Sequence, residues 1–112
     1  MKYKQGDVVI IRFPFSDLTG NKKRPALIIS NITVNETGEY LMVQITSKSR
    51  NDNLTVSIDK TDYIDNLALP LISSIRIHKI FLLNNDLILF KKTAVNGNFL
   101  RTITKKISAL IE

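Results

Sequence analysis

Cysteine is absent from the 112 residues, and histidine occurs once, at His78. Disulfides, thiolate metal sites and a Cys nucleophile are thereby excluded. One imidazole cannot build a zinc site of two or three histidines. A Ser-His-Asp triad would have to use His78, and no G-x-S-x-G elbow accompanies it. Glycine is scarce, proline stands only at positions 14, 25 and 70, and no repeat, low-complexity tract or linker interrupts the chain. No apolar run approaches the roughly 18 residues of a membrane span. The run Val8 to Ile11 near the start is too short for a secretory h-region, and Arg12 ends it. A cytoplasmic chain with no membrane partner is expected.

What is present is an ordinary globular composition, 44% hydrophobic and 23% charged, with a net charge of +6 and a pI near 9.7. That balance rules out a disordered chain and fits one domain over residues 1–112. Its core is of modest size, so self-association would add useful buried surface. The basic surface points to a polyanionic partner such as nucleic acid, although many small domains are basic for solubility alone.

Short apolar runs separated by turn signals dominate the pattern. Asp7 to Phe13 is rich in β-branched residues and reads as a buried strand. Ser16 to Lys23 is a polar loop with Gly20-Asn21 at its tip. Pro25 to Ser30 is a second strand, with Pro at a strand's first residue, where it is tolerated. Glu36 to Glu39 reads as a hairpin turn, Tyr40 to Thr46 as a third strand and Ser47 to Asn53 as a polar loop. Leu54 to Ile58 alternates as a half-buried fourth strand and Leu71 to Ile77 is a fifth. Ile80 to Leu83 and Leu87 to Phe90 flank the turn Asn84-Asn85-Asp86. At the end, Leu100, Ile103, Ile107, Leu110 and Ile111 recur at helical spacing, with Arg101, Lys105 and Lys106 mostly opposite and Asn98 as the expected N-cap. The expected fold class is mainly β (α+β): a small barrel of five to seven short strands with one C-terminal amphipathic helix.

Two places carry candidate chemistry. Lys22, Lys23 and Arg24 end the polar loop, and Pro25 pushes Arg24 toward an extended backbone at the root of a strand. An arginine held there can offer its planar fork to a phosphate; the alternative is a solvated strand-end cation. The third strand ends in Thr46-Ser47-Lys48-Ser49-Arg50, where hydroxyls beside cations suit a phosphate or a ribose hydroxyl, or are simply an ordinary loop. Aromatics able to stack a base are few. Phe13 fits the strand's core pattern, whereas Phe15 is placed to stack a base, and Tyr3, Tyr40 and Tyr63 are open. His78, with no metal cluster or nucleophile motif near it, reads as structural or surface rather than catalytic.

The stretch GDVVIIRFPFSDLTGNKKRPALIIS, Gly6 to Ser30, resembles the N-terminal signature of the MazF/PemK toxin family: G-D and an apolar strand, a polar loop, then R-P-A and a second apolar strand. VQITSKS, Val43 to Ser49, is similar to the family's second block, and LISSIRIHKI, Leu71 to Ile80, more loosely to a third. The resemblance implies an SH3-like barrel of the MazF/CcdB type, a homodimer, and an mRNA-cleaving toxin that inhibits translation and growth. Its implied partners are single-stranded RNA and a cognate acidic antitoxin, and no cofactor is implied. It assigns catalysis to Arg24 and Thr46, with Ser47 as a neighbour sharing the work. Lys22, Lys23, Lys48 and Arg50 would hold flanking phosphates. Some family members carry a Glu in the loop before the Arg; here only Asp17 is near, so no general base is assigned.

The implied reaction is attack of the RNA's own 2′-OH on the adjacent phosphorus, leaving a 2′,3′-cyclic phosphate and a 5′-OH. Such chemistry needs in-line geometry and charge stabilisation more than a protein nucleophile. Arg24 would meet the phosphorane charge, and Thr46 would bond the phosphate or orient the 2′-OH. Two other readings compete: a non-enzymatic nucleic-acid-binding barrel, and a CcdB-like toxin acting on a protein.

Overall fold

The computed structural model describes residues 2–12, 22–48 and 50–112. Their order is β1 (Asp7–Arg12), β2 (Lys23–Ile28), a one-turn helix α1 (Ile32–Asn35), β3 (Glu39–Thr46), β4 (Thr55–Ile58), β5 (Ser73–Asn84), β6 (Ile88–Ala94) and helix α2 (Gly97–Ala109). The strands form one antiparallel sheet in the order β4-β5-β3-β2-β1-β6. A strap crosses from one edge toward the other. Tyr63 makes an isolated bridge with Val95, Asn96 N–H donates to the Asp62 carbonyl at 2.8 Å, and Thr93 Oγ1 donates to the Leu67 carbonyl at 2.7 Å. The sheet is thereby rolled into the small barrel expected from the sequence.

Central strands are buried on both faces, which is why β1 and β2 read as continuous apolar runs rather than as alternation. Val8, Leu27, Val43, Ile45 and Ile75 point into one core, which α2 closes with Phe99 and Ile103. Val9, Ile11, Ala26, Ile28, Tyr40 and Met42 point into a second core on the opposite face. Each fully buried aliphatic side chain contributes roughly 1.5–3 kcal/mol. Tyr3 closes the second core edge-to-face on Tyr40, with ring centroids 5.8 Å apart.

The Gly6-Asp7 pair turns out to be a structural hinge. Gly6 has φ +94°, a conformation that a side chain disfavours, and its amide and carbonyl bond Ile28 and Val95 respectively. The buried Asp7 carboxylate accepts from the Lys4 amide at 3.0 Å and lies 3.2 Å from Lys91 Nζ. The motif thus fastens the chain start onto β2 and β6.

Several expected boundaries shift. β2 starts at Lys23 instead of Pro25, so Pro25 is its third residue and Lys23 belongs to the strand. The connection to β3 is longer than a hairpin turn, because Asn31 caps α1 through the Thr33 amide. Its polar knot is internal: buried Asn35 donates to the Ser30 carbonyl at 3.0 Å and accepts from the Ser30 hydroxyl, which in turn accepts from the Leu41 amide at 3.0 Å. The expected fifth strand and the run Ile80 to Leu83 are one twelve-residue strand, β5. The cap of α2 is Asn96, not Asn98, with its side chain accepting from the Phe99 amide at 2.8 Å. A cap of this kind is worth about 1 kcal/mol. Leu110 and Ile111, expected on the apolar stripe, lie beyond the packed turns and are exposed.

Candidate functional site

Where β2 ends its pairing with β3, the sheet opens. Ladder pairs run Ile28↔Met42, Leu27↔Val43 and Ala26↔Gln44, and stop there. The next residue, Pro25, has no N–H to carry the ladder on. β2 continues toward Lys23 along β1 alone, and β3 continues to Thr46 along β5 alone. The two strand ends therefore splay, leaving Arg24 and Thr46 on the walls of a gap. Both are partly exposed.

Two grooves meet at this ridge. The first, about 580 Å³, is bordered by Arg24, Gln44, Thr46, Lys48, Arg50 and the β5 residues Arg76 to Phe81 apart from buried Ile77. The second, about 530 Å³, shares Arg24, Thr46 and Lys48 and is more apolar, with Pro25, Leu71 and Phe90 among its walls. Of the residues singled out from sequence, Arg24, Thr46, Lys48 and Arg50 converge on the first groove. Lys23 and Ser47 line the second. Lys22 is exposed and borders neither groove. Phe15, Asp17 and the tip Gly20-Asn21 lie outside the described residues, as do Phe13 and Ser49.

The β5 wall escaped the sequence reading. At Val43 and Gln44 of β3 the partner on β5 jumps from Ile80 to Arg76, so Ile77, His78 and Lys79 have no partner in the β3 ladder. Ile77 turns inward, 2% exposed, and its amide bonds the Leu54 carbonyl at 3.0 Å. Anchored there, the bulge presents His78 and Lys79 outward. His78 is a surface residue, as expected, but the surface it occupies is the groove wall.

Arg76 is only 9% exposed and is firmly held. Its Nη1 donates to Asp52 Oδ2 at 2.9 Å and to Thr55 Oγ1 at 2.6 Å. Its Nη2 stands 3.4 Å from His78 Nε2. The Arg76 hydrogen bond, followed by that of Thr55, lowers the Asp52 carboxyl from 3.8 to about 2. Arg24, by contrast, has no hydrogen-bond or ion-pair partner among the described residues. Thr46 Oγ1 accepts from the Lys48 amide at 3.1 Å, which fixes the oxygen and leaves the hydroxyl proton free to donate outward. Five cations and one imidazole thus face a groove whose nearby carboxylate is already paired. Among the described residues no cluster of three or more His, Cys, Asp or Glu is arranged to hold a metal.

A basic groove lies at the splayed end of a small β-barrel, and comparison with known proteins gives the class. Residues 4–111 match the family of PemK-like, MazF-like toxins of type II toxin-antitoxin systems, and the chain belongs to that family. No curated protein matches it. Among solved structures it is similar to an endoribonuclease bound to its cognate antitoxin from a mycobacterial species, with TM-score 0.76 and 22% identity over 97% of this chain and 94% of that one. It is also similar to MazF of Deinococcus radiodurans, with TM-score 0.77 and 18% identity over 99% and 97%. A MazE-MazF complex from the same organism gives TM-score 0.76 and 17% identity over 99% and 97%. At these identities the likeness establishes the shared fold. Among the described residues no helix is long and apolar enough to cross a membrane.

Proposed function

We propose that this toxin is an endoribonuclease that cuts single-stranded RNA, mRNA above all, at short sequence motifs through attack of the 2′-OH on the adjacent phosphorus. The observation that carries the reading is the convergence of Arg24, with no partner among the described residues, and hydroxyl-bearing Thr46 across the gap that Pro25 opens, inside a cationic groove. The substrate supplies its own nucleophile, so the protein has to hold the phosphate, align it and stabilise the charge that builds on it. Arg24 offers a planar fork of donors to the phosphorane oxygens. Thr46 donates its free hydroxyl proton to the phosphate or orients the 2′-OH. Lys48 and Arg50, and Lys23 in the adjoining groove, hold flanking phosphates and make affinity salt-dependent. With these cations carrying the electrostatic work, the reaction needs no metal.

The same reading makes the chain a cytoplasmic homodimer restrained by a cognate antitoxin. An acidic antitoxin segment suits a chain of net charge +6, and a structural neighbour is named as bound to its own antitoxin.

The experiment is incubation of antitoxin-free protein with a long single-stranded RNA in EDTA, beside Arg24→Ala, with mapping of the new 5′ ends. Discrete cuts by the wild type, lost in the variant, support the reading. Folded wild-type protein that makes no cuts moves the assignment to a binding barrel or to a toxin acting on a protein.

A further inference from the structure

We infer that His78 is the general base of this site, taking the proton from the attacking 2′-OH. The inference rests on the ribonuclease reading and supplies the proton acceptor which that reading lacks. Arg24 and Thr46 do not fill the role: a guanidinium remains protonated, and a threonine hydroxyl is a far weaker base than an imidazole. The groove's nearby carboxylate, Asp52, is committed to Arg76 and Thr55. Gln44 offers only an amide oxygen, far too weak a base, which leaves the imidazole as the proton acceptor among the described groove residues, and the bulge of β5 puts it there by throwing His78 outward from the buried anchor Ile77.

The contact with Arg76 orients the ring. Guanidinium nitrogens only donate, so the 3.4 Å approach of Arg76 Nη2 is attractive only when His78 Nε2 carries a lone pair. That lone pair, facing Arg76, is the base in this reading, and the contact is long enough to yield to a substrate hydroxyl. Arg76 in turn is clamped by Asp52 and Thr55, which makes it a positioning residue. The other charged groups around the imidazole are Arg24 from β2, Lys48 and Arg50 from the segment after β3, and Lys79 beside it on β5. In the step, Nε2 accepts the 2′-OH proton, the 2′-oxygen bonds to phosphorus, and the P–O5′ bond breaks. The leaving 5′-oxygen takes a proton from water, and the imidazolium returns its own to solvent. No redox partner or co-reactant is needed.

The test compares wild type, His78→Ala and His78→Gln in single-turnover cleavage of a mapped RNA across about pH 5 to 8. It is paired with binding of the same oligonucleotide carrying a 2′-deoxy nucleotide at the cut. The expected result is a loss of roughly 10²- to 10⁴-fold in rate for both variants, with binding within about threefold of wild type. The wild type should show a pH-dependent limb that both variants lack, and added imidazole should restore part of the His78→Ala rate. Because Gln keeps a polar side chain of similar reach, it separates chemistry from folding, and a thermal melt of each variant is the check. Variants that cut at the wild-type rate with the wild-type pH profile, or that lose binding as steeply as rate, overturn the assignment while leaving the ribonuclease reading intact. A wild type that cuts no RNA removes the ribonuclease reading, and this inference falls with it.

Discussion

Two arginines border one groove and are held in opposite ways. Arg76 is buried against Asp52 and Thr55, three of its donors accounted for by described neighbours, so its charge is built into the wall. Arg24 is fixed only through its backbone, as the second residue of β2 with a proline following it, and its fork has no described partner. The difference separates a cation that shapes the site from one that can close on a ligand. It also sets how each should respond to substitution, since truncating a clamped group strands its partners whereas truncating a free one strands nothing.

The sharpest test is Arg24→Ala. Cleavage should fall by about 10²- to 10³-fold, the loss seen when one donor to a developing oxyanion is removed, while the thermal midpoint stays within a degree or two (roughly the scatter of a surface change). A large drop in midpoint would erase the distinction between the two arginines. Next comes Thr46→Val, which keeps the shape and removes the hydroxyl. A hydrogen bond to a charged group is worth about 1.5–3 kcal/mol, so rate should fall roughly 10- to 150-fold in single-turnover assays. Arg76→Ala should act first on stability, lowering the midpoint by about 4–8 °C in a thermal melt.

The smallest effect belongs to Asp52→Asn and is read through pH. The Asp52 carboxyl is lowered from 3.8 to about 2 in the folded chain by its bonds from Arg76 and Thr55. A depressed carboxyl stabilises the fold above its unfolded value, and that contribution fades as pH falls through the folded one. The wild-type midpoint should therefore exceed that of Asp52→Asn at about pH 5, with the gap narrowing toward about pH 2. A gap that does not change with pH would mean the clamp on Arg76 is steric rather than ionic. Because Asp52 is an exposed partner, the gap at pH 5 is itself expected to be small.

How far the sequence could be read follows from how local each feature is. β1 to β4 and α2 were legible because each is a short stretch whose apolar period or flanking turn residues name it. Arg24 and Thr46 stood out for the same reason, one by the proline after it and the other by its place at a strand end. The one-turn helix α1 was missed because the Ser30–Asn35 knot that holds it is a contact of buried polar side chains, not a periodic pattern. The cap expected at Asn98 falls at Asn96 because the helix begins two residues earlier, with Phe99 of its first turn packed into the core. Arg76 was not singled out, and His78 stood out only as the sole histidine, with nothing to place it in a groove. Their position depends on three residues of β5 that find no partner opposite Val43 and Gln44, and such a pairing defect across more than thirty residues of chain leaves no mark in local composition.

That defect also divides labour along a single strand. Residues paired with β3 and β4 answer to the ladder and the two cores, so a change at Ile75 falls on folding, as does one at Ile77, which is unpaired but buried in the core. Residues 78 and 79 answer to neither; a change at His78 falls on the proposed chemistry, and a change at Lys79 edits what the groove offers while the scaffold beneath stays put. For a lineage under pressure to alter its target, Lys79 is a place where variation costs the frame little: one writable position beside an imidazole that the proposed chemistry holds constant.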